Sequence, residues 1–290
     1  MDNNGIAQFF HAFRRRIPDA VWGIIKKFLL VAATILCLFP LYWVVVTAFK
    51  TKGDILRFPP TLWPDPITFE NFKYAFSVLP FGRFFINSLV ITVLNTVGTV
   101  ISSALIGYGF ARYRAPGSNF LFIIVLATLA LPPEVTLIPV FMLFKQLGWV
   151  NTILPLVVPA FFGNSYFIFL FRQFFRSIPR DLLDAATVDG ASQIGTFFYI
   201  VAPLSGAVFA TVTIFNFLWS WNDFFTPLIY LQKVENMTVA VGLAYFRGEY
   251  GTAWGPLMAG ALVSILPVVV LFLIVQKQIT QGIVTTGIKG

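Results

Sequence analysis

Within long apolar stretches stand a few residues that could do chemistry: Glu134, Asp223, Asn222, Asn216, Asn164 and Asn87. A charge in such surroundings is costly and by default points to function. Carboxylates accept hydrogen bonds and carboxamides both accept and donate, so the set suits a ligand covered in hydroxyls, such as a sugar. It does not suit metal chemistry. His11 is the sole histidine, Cys37 the sole cysteine, and no metal-ligand spacing occurs. No G-x-x-x-x-G-K-[ST] is present, so the chain carries no P-loop for ATP. Two readings stand for each acid. Glu134 either faces a solute path or satisfies backbone freed by Pro132 and Pro133; Asp223 either lines that path or is merely interfacial. Aromatic residues (17%, with 34 Phe) could stack on sugar rings, but most must pack or face lipid.

The elements that position these residues follow from composition. Of 290 residues, 58% are hydrophobic and only 11% charged, and the mean hydropathy is +0.82. A soluble domain needs roughly 25% charged residues, so most of this surface must meet lipid, and the fold expected is an all-α polytopic bundle. The net charge of +8 fits basic loops facing anionic lipid; with no basic stripe, nucleic acid is excluded as a partner. Cys37 lies in an apolar run, so there is no disulfide framework.

A bilayer core takes about 20 apolar residues as a helix. Six stretches qualify: 28–48, 84–110, 120–144 (interrupted by Pro132, Pro133 and Glu134), 153–171, 203–229 and 254–275. At ~1.5 Å per residue, Glu134 stands about 22 Å from the inner end of the third and Asp223 about 30 Å from that of the fifth. Arg14, Arg15, Arg16, Lys26 and Lys27 precede the first span, and 12 of the 20 Lys+Arg fall on the same side. That places both termini in the cytoplasm and both acids toward the outside. The first stretch is too long for a signal-peptide core and no A-x-A-like site follows it. Residues 9–25 read as an amphipathic surface helix or as a frayed basic tail. The layout is therefore a cytoplasmic tail (1–27), a six-helix membrane domain (28–276) containing a cytoplasmic loop (177–203), and a cytoplasmic tail (277–290). The outer loop 50–82 holds five prolines, which forbid a continuous helix.

The cytoplasmic loop is the most organised segment outside the spans. Ser177 is an expected N-cap and Pro179 falls in the first turn. Asp181 and Asp184 lie toward the positive end of the short helix that follows. Gly190 supplies a left-handed stop, and Ser192 can cap a second helix. Ala185 and Ala186 make a small flat face flanked by Leu182 and Leu183, a shape suited to a partner's groove; an ordinary interfacial loop is the plainer alternative.

Asp184, Ala185, Ala186, Asp189, Gly190 and Ala191, followed by Phe197, Ile200, Pro203 and Leu204, resemble the EAA motif of ABC importer permeases. Ile138-Pro139, the stretch FLWSWNDFF at 217–225 and the glycine-bearing 282–290 are similar to the maltose-type carbohydrate permeases in particular. The likeness covers nearly the whole chain from about Phe28. Two positions depart from the pattern: Asp184 stands where the family has Glu, and Ala202 where it has Leu. The resemblance implies a type I importer permease fold in which the loop is the coupling helix. It also implies an ATP-binding subunit dimer that carries ATP and Mg, a second permease subunit making a heterodimer, and an extracytoplasmic sugar-binding protein met by loop 50–82. This chain would then be no enzyme and hold no cofactor. A secondary active transporter is the alternative, but it wants coupling-ion acids near the midplane and paired broken helices, and only 120–144 offers either.

Overall fold

The computed structural model describes residues 19–113, 115–248 and 251–287. Among them the only strands are a two-residue antiparallel pairing of Arg247–Gly248 with Gly251–Thr252. Four helical stretches are long and apolar enough to cross a bilayer: Val21–Ala48, Phe81–Arg112, Leu154–Ser177 and Trp254–Lys277. Two further candidates are bent pairs, Ser118–Ala130 with Pro133–Gln146 at 99° and Gln193–Leu204 with Gly206–Trp221 at 80°. Taken as one span each, they bring the total to six.

Both bends have identifiable causes. Leu131 and Pro132 are extended (ψ 115 and 135), because a residue before proline is pushed out of the helical region and two successive prolines remove two N–H donors. Pro133 then opens the next helix and Glu134 sits in its first turn, where an acid favours the helix dipole. The third stretch is thus no straight rod, and the height reckoned for Glu134 along it does not hold. The second bend lies at Ser205, after the π-helical residues Phe197–Val201 and beside Pro203. A π turn shifts the bonding register, and Ser205 Oγ donates to the Val201 carbonyl at 2.6 Å. The fifth stretch also stops early. Its helix ends at Trp221, and Phe225–Tyr230 forms a separate turn.

Other boundaries move less. The first helix begins at Asp19, so residues 19–25 of the expected surface segment belong to the first span's helix; residues 9–18 lie outside the described residues. The last helix runs from Trp254 to Gly287, well past Lys277, and replaces most of the expected tail. The fourth span starts as Leu154–Val157 and a 3₁₀ turn, breaks at Gly163 (φ 90), and restarts as Ser165–Ser177.

The chain divides into two compact units: the described residues of Met1–Phe72 with Trp254–Leu262, and those of Lys73–Ala253 with Val263–Gly290. In the first, Asn71 Nδ2 donates to the carbonyls of Ala48 and Lys50 at 2.9 and 2.7 Å, closing the top of the first span. Lys50 is 1% exposed; its ammonium lies 4.7 Å from the Trp43 ring centroid and donates to the Thr61 carbonyl. These contacts fasten the proline-rich segment that bares Phe58 and Trp63.

In the second unit, the Phe81–Arg112 helix is the axis. Its small face meets Ser165–Ser177 so closely at Gly107 that a Cβ there would lie 2.8 Å from Phe171 Cβ and 3.1 Å from the Arg172 nitrogen. Side chains bond backbone across the same seam. Asn95 Nδ2 donates to Leu156 O (2.7 Å), Ser102 Oγ to Ala160 O (2.9 Å), and the Asn164 N–H to Ser103 Oγ (3.0 Å). In lipid, small residues and such bonds take over the role that apolar burial plays in water. Tyr108, Phe171, Phe175, Phe197, Val201 and Val212 fill the core between the spans at the Arg112 end.

Candidate functional site

Two sites emerge along this axis, one at its Arg112 end and one near its middle. The first is the helix Arg180–Val188. It closes in the way its sequence predicts. Gly190 has φ +80, the Ala191 N–H reaches Ala186 O (2.9 Å), and the Gly190 N–H reaches Thr187 O (3.1 Å). That is the paired bonding of a Schellman stop. Ser192 then caps Gln193–Thr196 by accepting from the Gly195 N–H at 3.1 Å. The helix start differs from expectation. Ser177 is the last residue of the preceding helix, its Oγ donates to Phe174 O at 2.7 Å, and Pro179 stands at the N-cap. A serine at a helix end can bond backward as readily as forward.

The outward face also differs. Ala186 is only 6% exposed and the half-buried Leu183 packs on the aromatic core, so both are engaged by this chain's own packing. Ala186→Glu or Leu183→Ala would damage this chain's own packing. What the helix presents is Leu182 (47% exposed), Ala185, Val188 (87%) and the exposed carboxylates Asp181, Asp184 and Asp189. Those three acids have no ion-pair partner among the described residues. Pro203 lies at the second bend and contributes to aiming the span that follows.

The second site is a cavity of about 280 Å³ lined by Asn95, Asn216, Trp219, Ser220, Asp223 and Thr226, with apolar walls. It falls just below the roughly 300–1,000 Å³ of small-molecule sites. Asn216 is buried, and its Nδ2 donates to Asn95 Oδ1 (2.9 Å) and Thr96 Oγ1 (3.3 Å). Asp223 accepts the Thr226 N–H (3.1 Å) with one oxygen, leaving the carboxylate with free acceptor capacity. An indole face beside amide, hydroxyl and carboxylate groups can stack on a pyranose and hydrogen-bond its hydroxyls.

Asn216 and Asp223, both expected to line a path, are brought together here. Four others are not. Asn164 caps Ser165–Ser177 by accepting from the Tyr166 and Phe167 N–H groups. Asn222 donates to Leu218 O on its own helix at 2.8 Å, and Glu134 is exposed beyond the first bend, outside the lining. Asn87 donates to the carbonyls of Glu235 and Met237 and holds a loop. Asn95 was missed, although a carboxamide inside the charge-free run 84–110 carries the signal that marked Asn216.

Residues 103–284 match the family described as binding-protein-dependent transport system inner membrane component. The arabinooligosaccharides transport system permease protein AraQ of Bacillus subtilis (strain 168) is 35% identical over 93% of this chain and 97% of its own length. The lactose transport system permease protein LacG of Rhizobium radiobacter is 32% identical over 93% and 96%. Among solved structures, a bacterial ABC transporter involved in the import of the acidic polysaccharide alginate superposes with a TM-score of 0.78 over 89% of this chain and 96% of that one. At 22% identity, that likeness bears on fold alone.

Proposed function

We propose a function on this footing: the chain belongs to the family of binding-protein-dependent transport system inner membrane components. It is an integral membrane permease subunit of an ABC importer, and membership sets aside the secondary-transporter reading. The solute is a sugar handed over by a binding protein. Relatives named as permeases for arabinooligosaccharides, lactose and melibiose/raffinose/stachyose support this, as does the cavity that pairs Trp219 with Asn95, Asn216 and Asp223. Both termini and the Arg180–Val188 helix are cytoplasmic. There the helix docks on one subunit of an ATPase dimer, which holds ATP and Mg, while a second, different permease subunit completes the path. Glu134 joins that path through the face that meets this companion.

The observation that carries the proposal is the short helix closed at Gly190 with Leu182, Val188 and three carboxylates turned away from its own chain. The test is uptake by proteoliposomes containing this chain, its companion permease, the ATPase and the cognate binding protein, offered arabinooligosaccharides, lactose and raffinose in turn. Uptake of one of them that stops without ATP is the expected result; uptake driven by an ion gradient instead would reject it. In the same vesicles, Asp223→Asn and Asn216→Leu should each cut uptake roughly tenfold, the weight of one lost or orphaned hydrogen bond of ~1–2 kcal/mol. Capture of the ATPase should be unchanged. Full transport by both variants would remove the cavity from the path.

A further inference from the structure

The last turn of the Phe81–Arg112 helix grips both ends of the Arg180–Val188 helix. At the near end, Arg112 Nη2 donates to the carbonyl of Phe175 and, at 2.8 Å, to that of Ile178, the C-cap of the helix before Pro179. At the far end, the Tyr108 hydroxyl donates to Gln193 O at 3.4 Å, just past the Ser192 cap. The Tyr108 ring packs edge-on against Phe175 and at 5.1 Å from Phe197, one ring on each side of the loop. Arg172 returns the grip: its Nε donates to Phe110 O at 3.4 Å and its guanidinium lies 3.8 Å from the Phe122 ring centroid.

The chemistry suits the task. The final carbonyls of a helix lack intrahelical partners and form the negative end of its dipole, so a guanidinium is held there by both charge and geometry. Yet Arg112 Nε is buried without a partner. A donor left unsatisfied is costly, and such local violations concentrate where a site is shaped for function rather than stability.

We propose that Arg112, assisted by Tyr108, is a positioning residue that makes the Arg180–Val188 helix move as one body with the Phe81–Arg112 helix. Movement imposed on the former then reaches Asn95 in the cavity wall, about 25 Å along the same helix at ~1.5 Å per residue. The backbone bonds made by Asn95, Ser102 and Ser103 keep the neighbouring span in step. This inference rests on the docking role proposed for the Arg180–Val188 helix, and its test separates the two.

Spin labels at Val188 and Leu105, both exposed, in a Cys37→Ser background report the distance between the two helices. In the assembled complex with wild-type Arg112, one narrow distance should persist with and without Mg-ATP. Arg112→Met should broaden it and make it respond to Mg-ATP. It should also lower binding-protein-stimulated ATP hydrolysis roughly tenfold, inside the range of ordinary coupling effects, with capture of the ATPase retained. Lysine ends one bond short of Nη2, so Arg112→Lys should fall between. A narrow, nucleotide-independent distance in Arg112→Met, or undiminished stimulation, would overturn the proposal. Failure of the unmutated chain to capture the ATPase would instead count against the docking role. The distance distributions of the isolated subunit, narrow with Arg112 and broad with Met, would then still decide the grip.

Discussion

Replacing Gly190 with valine should lower binding-protein-stimulated ATP hydrolysis roughly thirtyfold, the equivalent of ~2 kcal/mol at ~1.4 kcal/mol per decade, while leaving the chain inserted in the membrane. Space is not the obstacle, since a Cβ built at Gly190 meets nothing within 4 Å. The obstacle is φ +80. The left-handed region costs an L-residue about 1–2 kcal/mol, and a β-branched side chain is a genuine outlier there. To escape, the backbone must give up the Ala191–Ala186 and Gly190–Thr187 bonds, which re-aims Arg180–Val188 against Gln193–Thr196. Asparagine tolerates the same region, so Gly190→Asn should keep most of the activity. Equal activity in the valine and asparagine variants would show that the turn does not set the aim of the helix.

The second large effect is expected at Gly107. A Cβ there would press on Phe171 Cβ and on backbone atoms of Arg172 and Ile168, none of which can swing aside as a side-chain tip can. Gly107→Leu should therefore part the two spans, at an overpacking cost of about 1–3 kcal/mol. The readout is heat-induced loss of the monodisperse peak of detergent-solubilised protein. Gly109, one half-turn on, has nothing within 4 Å of its Cβ position, and Gly109→Ala should leave the profile unmoved. Identical profiles for the two variants would mean that the spans do not depend on close approach at Gly107.

How much of this was legible depends on how local each feature is. The spans 21–48, 81–112, 154–177 and 254–277 announce themselves through the long charge-free runs they contain, because lipid imposes length and polarity on each helix separately. The Gly190 stop and the Ser192 cap were equally legible, since each is decided within about five residues. Pro132 and Pro133 marked an interruption but not its 99° angle, which rests on how the two half-helices pack. The inward turn of Ala186 and Leu183 escaped a helical reading of 180–188. Both flanks of that helix looked equally apolar, and only the ring cluster of Tyr108, Phe175 and Phe197 decides which flank is buried. The cavity was half visible. Asn216 and Asp223 stood out as polar groups in apolar sequence, whereas Asn95 joins them from a segment more than 100 positions away, and Trp219, on the same helix as Asn216, is one aromatic among many. Arg112 read as one more positive charge flanking a span; its grip on Phe175 and Ile178 belongs to tertiary structure.

The central claim is that Arg180–Val188 faces the cytoplasm and is where the ATPase docks. A single cysteine, Val188→Cys in a Cys37→Ser background, tests both parts at once, because Val188 is 87% exposed and its side chain serves no internal contact that a cysteine would disturb. A membrane-impermeant maleimide should label it in inside-out vesicles and not in right-side-out ones. Bound ATPase subunit should slow that labelling roughly tenfold, as water-excluding contact at the centre of an interface does. Labelling from the outside, or a rate indifferent to the ATPase, would contradict the account.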